Sequence, residues 1–205
     1  MEKILPGNIY HIYNHSNGYE NIFREKTNYD FFLGRLSLHV LPVAKIYAYC
    51  LMPNHFHMLL QVREPKELAG YFIQKPFIKD DRELSLEPFL VKKVSKSFSN
   101  LFNSYAQAFN KMYSRMGSLF MQNIKRKEIR GDESFCRVVF YIHANPVHHR
   151  FVKTIDKWTY SSYNILRGSE NTVLEREQVL RTFGGRNGFI KYHEQPIDPK
   201  FPKNS

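Results

Sequence analysis

The chain has 205 residues, 42% hydrophobic and 24% charged, average globular usage that excludes a disordered or fibrous polypeptide and favours one domain with its own core. Thirty Lys and Arg against nineteen Asp and Glu leave a net charge of +11, which attracts polyanions at long range and makes nucleic acid the leading partner class. No stretch approaches the ~18 apolar residues of a membrane span, and Met1 to Pro6 lack the apolar segment of a secretory leader, so the cytoplasm is the expected location.

In chain order, Asn8 to His15 is β-rich and predicts a strand. Asn28 is a candidate cap for a helix to about His39, with Phe31, Phe32, Leu36 and Leu38 near helical spacing and Pro42 after its end. Val43 to Met52 and His55 to Val62 flank the turn dipeptide Pro53-Asn54 and predict an antiparallel hairpin. Residues 65–88 read as a short helix and a loop carrying Lys79-Asp80-Asp81-Arg82-Glu83. Cys50 and Cys136 stand among apolar neighbours and read as buried thiols.

Pro88 to Met116 places Leu90, Val94, Phe98, Leu101, Phe102, Tyr105, Phe109 and Met112 at spacings of three and four, the pattern of a long amphipathic helix ended by Gly117. Ser118 to Ile124 predicts a strand, Glu133 to Ala144 a helix stopped by Asn145-Pro146, and Glu175 to Phe183 a short helix before Gly184-Gly185. Strands, a hairpin and helices in this order imply an α+β fold of an antiparallel sheet with packed helices. The expected organisation is a single domain over residues 1–205, with a core of about 8–167, a helical extension to about 195 and a loose tail over 196–205.

The positive charge concentrates in the third quarter of the chain. Lys92, Lys93, Lys96, Lys111, Arg115, Lys125, Arg126, Lys127 and Arg130 form a candidate surface for a phosphate backbone, the plainer reading being a solvated basic face. Thirteen Tyr and seventeen Phe supply stacking surface for unpaired bases, although most must be core.

In His55-Phe56-His57 strand alternation puts both imidazoles on one side, expected to be the exposed face, while Phe56, Met58 and Leu60 face the core. Two such rings can share one divalent ion, and imidazole nitrogen favours Mn²⁺ over the oxygen-seeking Mg²⁺. The alternative is two polar residues on a half-buried strand. Tyr105, mid-helix with basic neighbours, is a candidate phenol nucleophile for phosphorus, against the alternative of a core tyrosine. Tyr113, two turns on, is the second candidate. His143 is expected to hold a helix end, His148 and His149 to be exposed or to contact phosphate, and His11 to pack in the sheet.

Leu51-Met52-Pro53-Asn54-His55-Phe56-His57 resembles the His-hydrophobic-His motif of single-strand tyrosine transposases. Tyr141-Ile142-His143-Ala144-Asn145-Pro146-Val147 resembles their later signature, particularly in REP-associated tyrosine transposases. With Tyr10-His11-Ile12 and Trp158-Thr159-Tyr160-Ser161-Ser162-Tyr163, the resemblance spans roughly residues 8–167. It implies a ferredoxin-like fold, Mg²⁺ or Mn²⁺ on His55 and His57, and a helix-borne tyrosine, matched to Tyr105, that cleaves single-stranded DNA through a 5′-phosphotyrosine. Relatives place a polar metal ligand about a turn beyond the tyrosine; Phe109 stands there, so Asn110 is the candidate third ligand. Members carry Arg-Gly after the first strand and a Gly-Thr-Leu-Trp-Glu-Gly-Arg-like run after the long helix, where this chain has His15-Ser16 and Gly117 to Asn123. The resemblance implies single-stranded or hairpin DNA as partner and leaves monomer and homodimer both open. The competing reading is a non-catalytic module that holds hairpin DNA or RNA on the same fold.

Overall fold

The computed structural model describes residues 3–74 and 87–197. Strand β1 (Ile9–His15) is followed by helix α1 (Lys26–His39), the hairpin β2 (Ala44–Met52) and β3 (His55–Val62), α2 (Pro65–Ile73) and α3 (Glu87–Met112). Strand β4 (Lys125–Glu128) and helix α4 (Asp132–His148) come next, then a 3₁₀ turn over Ile155–Lys157 and α5 (Tyr163–Arg167), α6 (Arg176–Thr182) and α7 (Arg186–His193). The four strands lie in the order β2-β3-β1-β4, every pairing antiparallel. Two β-α-β units whose strands interleave in this way make the ferredoxin-like arrangement.

Strand alternation gives the sheet two apolar faces. Tyr10, Ile12, Phe56, Met58 and Leu60 pack beneath α1, α2 and α3, joined by Phe32, Leu36, Val94, Phe98, Leu101 and Phe102. Tyr47, Ala48, Cys50, Met52 and Leu59 pack beneath α4 and the C-terminal helices, with Val139, Ile142, Leu166, Val179 and Phe189. Cys50 and Cys136 are free, buried thiols. The outer edge of β2 is closed by the chain itself, because Leu51 N–H donates to Tyr160 C=O and Ser162 N–H to Tyr49 C=O, both at 2.9 Å, which removes an exposed edge.

Several boundaries differ from the sequence expectation, each for a local reason. Helix α1 starts at Lys26 with Glu25 as N-cap; Asn28 is its N3 residue, reciprocating Glu25 in a capping box. Helix α3 ends at Met112 rather than Met116, with Ser114 taking φ 49 before Gly117 at φ 86. Residues 118–124 form no strand, only the isolated bridge of Phe120 to Ser16; the strand is the next segment, Lys125–Glu128. Helix α4 runs through Asn145-Pro146 to His148. Pro146 forfeits one late hydrogen bond, while the burial of Ile142, Ala144 and Pro146 holds the last turn. The charged run at residues 79–83 lies outside the described residues.

Candidate metal and nucleophile site

The register of the two inner strands, β1 and β3, builds a row of rings. His15 pairs with His55 and Tyr13 with His57 across β1 and β3, and His11 lies opposite Leu59. All these side chains share the sheet face that carries α4. His55 and His57 are therefore not on an exposed face but 3% and 1% accessible. The reason is that α4 lies over β2 and β3, so both faces of these strands are covered.

Each histidine has an orienting partner. His57 Nδ1 lies 3.0 Å from His11 Nε2, and His55 Nδ1 lies 2.8 Å from Asn54 Oδ1. The second nitrogen of His55, Nε2, is 2.9 Å from the side-chain oxygen position of Asn145 on α4. Burial drives the pKa of His55 down to about 4 and that of His57 well below its usual value. His11 is likewise lowered to about 4, by burial first and the charge of Lys127 second. The rings are thus neutral at pH 7, the form that ligates metals. A neutral imidazole carries one N–H, so of the two amides beside His55 one must offer its oxygen and the other its NH₂. When Asn54 and His11 take the Nδ1 protons, the lone pairs of both histidines sit on Nε2, where that of His55 accepts from the Asn145 amide, a contact that a bound ion would displace.

No group of three or more His, Cys, Asp and Glu with metal-binding geometry occurs among the described residues. The amide that reaches the Nε2 side of the pair is Asn145. Two imidazoles and an amide oxygen form a mixed nitrogen and oxygen set that fits Mn²⁺ or a partly hydrated Mg²⁺.

The phenol at this site is Tyr141. Its ring centroid stands 5.2 Å from that of His57 and 5.7 Å from that of His11, edge-on to both. Asn145 follows four residues later on α4, so both project from one helix face. His15 stacks on His55 at 4.8 Å, and His149, exposed as expected, meets its edge at 5.1 Å.

Tyr105 does not meet the histidines. It projects from α3 on the opposite face of the sheet, 1% accessible, among Phe23, Phe32, Phe109 and Phe120, and its hydroxyl donates to Ile22 C=O at 2.5 Å. Burial raises its pKa, which opposes phenolate formation. Tyr113 is on the same remote side, its hydroxyl against Glu25 and Asn28. Asn110 caps the end of α3: Nδ2 donates to Gly117 C=O and Oδ1 accepts from Arg115. An open groove of about 500 Å³ also lies on that side, between α3 and residues 117–126.

The basic residues do not form one surface. Lys92, Lys93, Lys96 and Lys111 are on α3, with Lys92 and Lys111 roughly 28 Å apart along its axis. Arg115 is tied to both carboxylate oxygens of Glu20 and to Ser118 C=O, a structural clamp. Arg130 pairs with Glu128 at 2.7 Å. On β4 the side chains alternate: Arg126 shares the α3 face with Ile12, while Lys125 and Lys127, opposite Tyr13 and His11, share the histidine face and are exposed.

Sequence reasoning did not bring Tyr141, Asn145, His11 and Asn54 to the histidine pair. Their signal was the four-residue spacing of Tyr141 and Asn145, hidden by ending the helix before Asn145-Pro146.

No family model matches the chain. Over 119 residues it is 27% identical to a protein of Haemophilus influenzae named as a REP-associated tyrosine transposase, a match spanning 57% of this chain and 57% of that protein. In fold it is similar to a structure described as a REP-associated tyrosine transposase bound to a REP hairpin, with a TM-score of 0.53 and 16% identity over 85% of this chain and 92% of that one. Part of its sequence and most of its fold thus relate this chain to the REP-associated tyrosine transposases.

Proposed function

We propose that the protein is a metal-dependent endonuclease and strand transferase for single-stranded DNA beside a hairpin, with Tyr141 as nucleophile and His55, His57 and Asn145 as metal ligands. The observation that carries this reading is the meeting, within one chain, of a helix-borne phenol, an amide one turn beyond it and two oriented, neutral imidazoles. Because one chain supplies all four groups, the reading needs no second copy to complete the site.

Mg²⁺ or Mn²⁺ bound there would supply positive charge at the scissile phosphate, drawing electron density from its oxygens. The protein's own residues do the rest. His11 and Asn54 fix the tautomers of His57 and His55 and leave their lone pairs on Nε2. Tyr141 Oη forms a bond to phosphorus as the bond from phosphorus to the 3′-oxygen breaks. The phenol gives up one proton and the departing 3′-oxygen takes one, so the protein ends with a 5′-phosphotyrosine and the DNA with a free 3′-hydroxyl. The phosphodiester energy is kept in that linkage, and attack by another 3′-hydroxyl rejoins a strand without ATP. Lys125 and Lys127 lie on the same sheet face, where an approaching strand's phosphates would meet them.

The test is adduct formation. Wild-type protein with Mn²⁺ and end-labelled hairpin DNA bearing unpaired flanks should yield a denaturation-resistant protein–DNA adduct. Tyr141→Phe should abolish it. Tyr105→Phe should keep it, losing about 1 kcal/mol of stability with its buried hydrogen bond. An adduct from Tyr141→Phe would remove Tyr141 from the reading, and hairpin binding without adduct in the wild type would favour the non-catalytic module.

A further inference from the structure

Between Tyr141 and Asn145 on α4 stands a third polar residue that the site does not use. His143 is fully buried. Its Nδ1 lies 2.8 Å from His193 Nε2 on α7, and its Nε2 lies 2.8 Å from Ser162 Oγ. Beyond them, His193 Nδ1 lies 2.8 Å from Phe189 C=O, and Ser162 Oγ accepts Tyr49 N–H of β2 at 2.9 Å.

The direction of every bond follows from the two ends. A carbonyl can only accept, so His193 Nδ1–H donates to Phe189 and His193 Nε2 is an acceptor. His143 Nδ1–H must then donate to His193, leaving His143 Nε2 to accept the Ser162 hydroxyl proton at 2.8 Å, ahead of the longer 3.2 Å approach of that hydroxyl to Tyr49 C=O. The hydroxyl oxygen has a lone pair left for Tyr49 N–H. One continuous, fully satisfied chain thus runs from the backbone of β2 through Ser162, His143 and His193 to the backbone of α7. The order Ser-His-His has the look of a hydrolase relay, but Ser162 and His143 are 0% accessible and His193 7%, so no substrate reaches the hydroxyl.

What such a chain does well is to define position. Apolar contacts alone let a helix settle in several nearly equal registers on a sheet, whereas hydrogen bonds are directional and a fully paired buried network selects one. At about 100° per residue, His143 points roughly 160° round the helix from both Tyr141 and Asn145. It grips the back of α4 while they work at the front.

We propose that Ser162, His143 and His193 are positioning residues that brace α4 against β2 and α7, holding Tyr141 and Asn145 at the histidine pair and making the C-terminal helix a working part of the site. This rests on the roles given above to Tyr141 and Asn145.

The test compares His193→Ala, His193→Gln, which restores an acceptor for His143 and a donor for Phe189, and Tyr192→Leu, a packing change on α7 against Phe140 of α4 that leaves every hydrogen bond of the chain in place. Hydrogen exchange of the α4 amides, referred to those of β3, is read without metal or DNA; Mn²⁺ affinity, hairpin affinity and single-turnover adduct rate are read on the same proteins. His193→Ala should loosen α4 and slow the adduct at least tenfold, weaken Mn²⁺, and leave hairpin affinity within twofold. His193→Gln should recover most of these three losses, and Tyr192→Leu should show none of them. Unchanged α4 exchange and adduct rate in a folded His193→Ala, or the same losses in Tyr192→Leu, would overturn the brace. If His193→Ala does not fold, Ser162→Ala carries the same comparison. A wild type that forms no adduct, with α4 still loosened by His193→Ala, would overturn the nucleophile reading and leave the brace standing.

Discussion

His11 Nε2 and His57 Nδ1 lie 3.0 Å apart across neighbouring strands, buried to 7% and 1% accessibility. Since β1 and β3 pair through seven consecutive residues, from Ile9 with Gln61 to His15 with His55, the sheet register itself sets this contact. If His57 donates from Nδ1, its Nε2 is held as a metal ligand. His11→Ala should therefore lower Mn²⁺ affinity about 10- to 100-fold while the protein stays folded. Calorimetry reads this directly, and full-strength Mn²⁺ binding by the variant would dismiss His11 as an orienting group.

Asn145 and Asn110 offer the same amide in different places. Asn145→Ala should weaken Mn²⁺ binding and the adduct rate together. Asn110→Ala should leave both near wild type and fray the end of α3, where its amide caps Gly117. Manganese titration of both variants checks the assignment, which would be reversed if only Asn110→Ala lost the metal.

Of the nine candidate basic residues, Lys125 and Lys127 share the sheet face of His55 and His57 by strand register. Replacing both with alanine should weaken single-strand binding and reduce the logarithmic salt slope by about 1.4, near 0.7 per lost phosphate contact. Arg115→Ala should behave differently, lowering the melting temperature through loss of its clamp on Glu20 while the salt slope changes little. Affinities measured across a salt series separate the two cases.

Acid should unfold the protein early. His11, His55 and His193 have pKa values lowered to about 4, chiefly by burial, and His57 and His143 fall well below the usual value. In the unfolded chain these rings take protons below about pH 6.5, and in the folded chain only near pH 4 or lower. The stability they contribute is therefore full above about 6.5 and is lost as pH falls towards 4, at up to about 1.4 kcal/mol per pH unit for each ring. Thermal melts from pH 7.5 to 4.5 should show a steep decline, and a flat melting temperature over that range would contradict the neutral, buried state of the rings.

Local pattern was enough for much of this molecule. Period-two alternation in Asn8 to His15 and His55 to Val62, the Pro53-Asn54 turn and the three-and-four spacing from Leu90 to Phe109 defined the hairpin, the long helix and the α+β class, because each is dictated by neighbours a few residues away. The same alternation paired His55 with His57. What local pattern could not decide was which layer covers which face. Tyr105 and Tyr141 both sit on helices with apolar stripes, yet α3 packs on the side of Phe56 and α4 on the side of His57, and a strand exposes that choice only when its partners are in place. The tertiary structure also overrode the helix-stop rule at Asn145-Pro146, since burial of the last turn on the sheet outweighs one lost backbone bond. In doing so it placed Asn145 a turn beyond Tyr141, and it joined His11 to His57 and His143 to His193, each pair from two separate elements, contacts that depend on long-range packing.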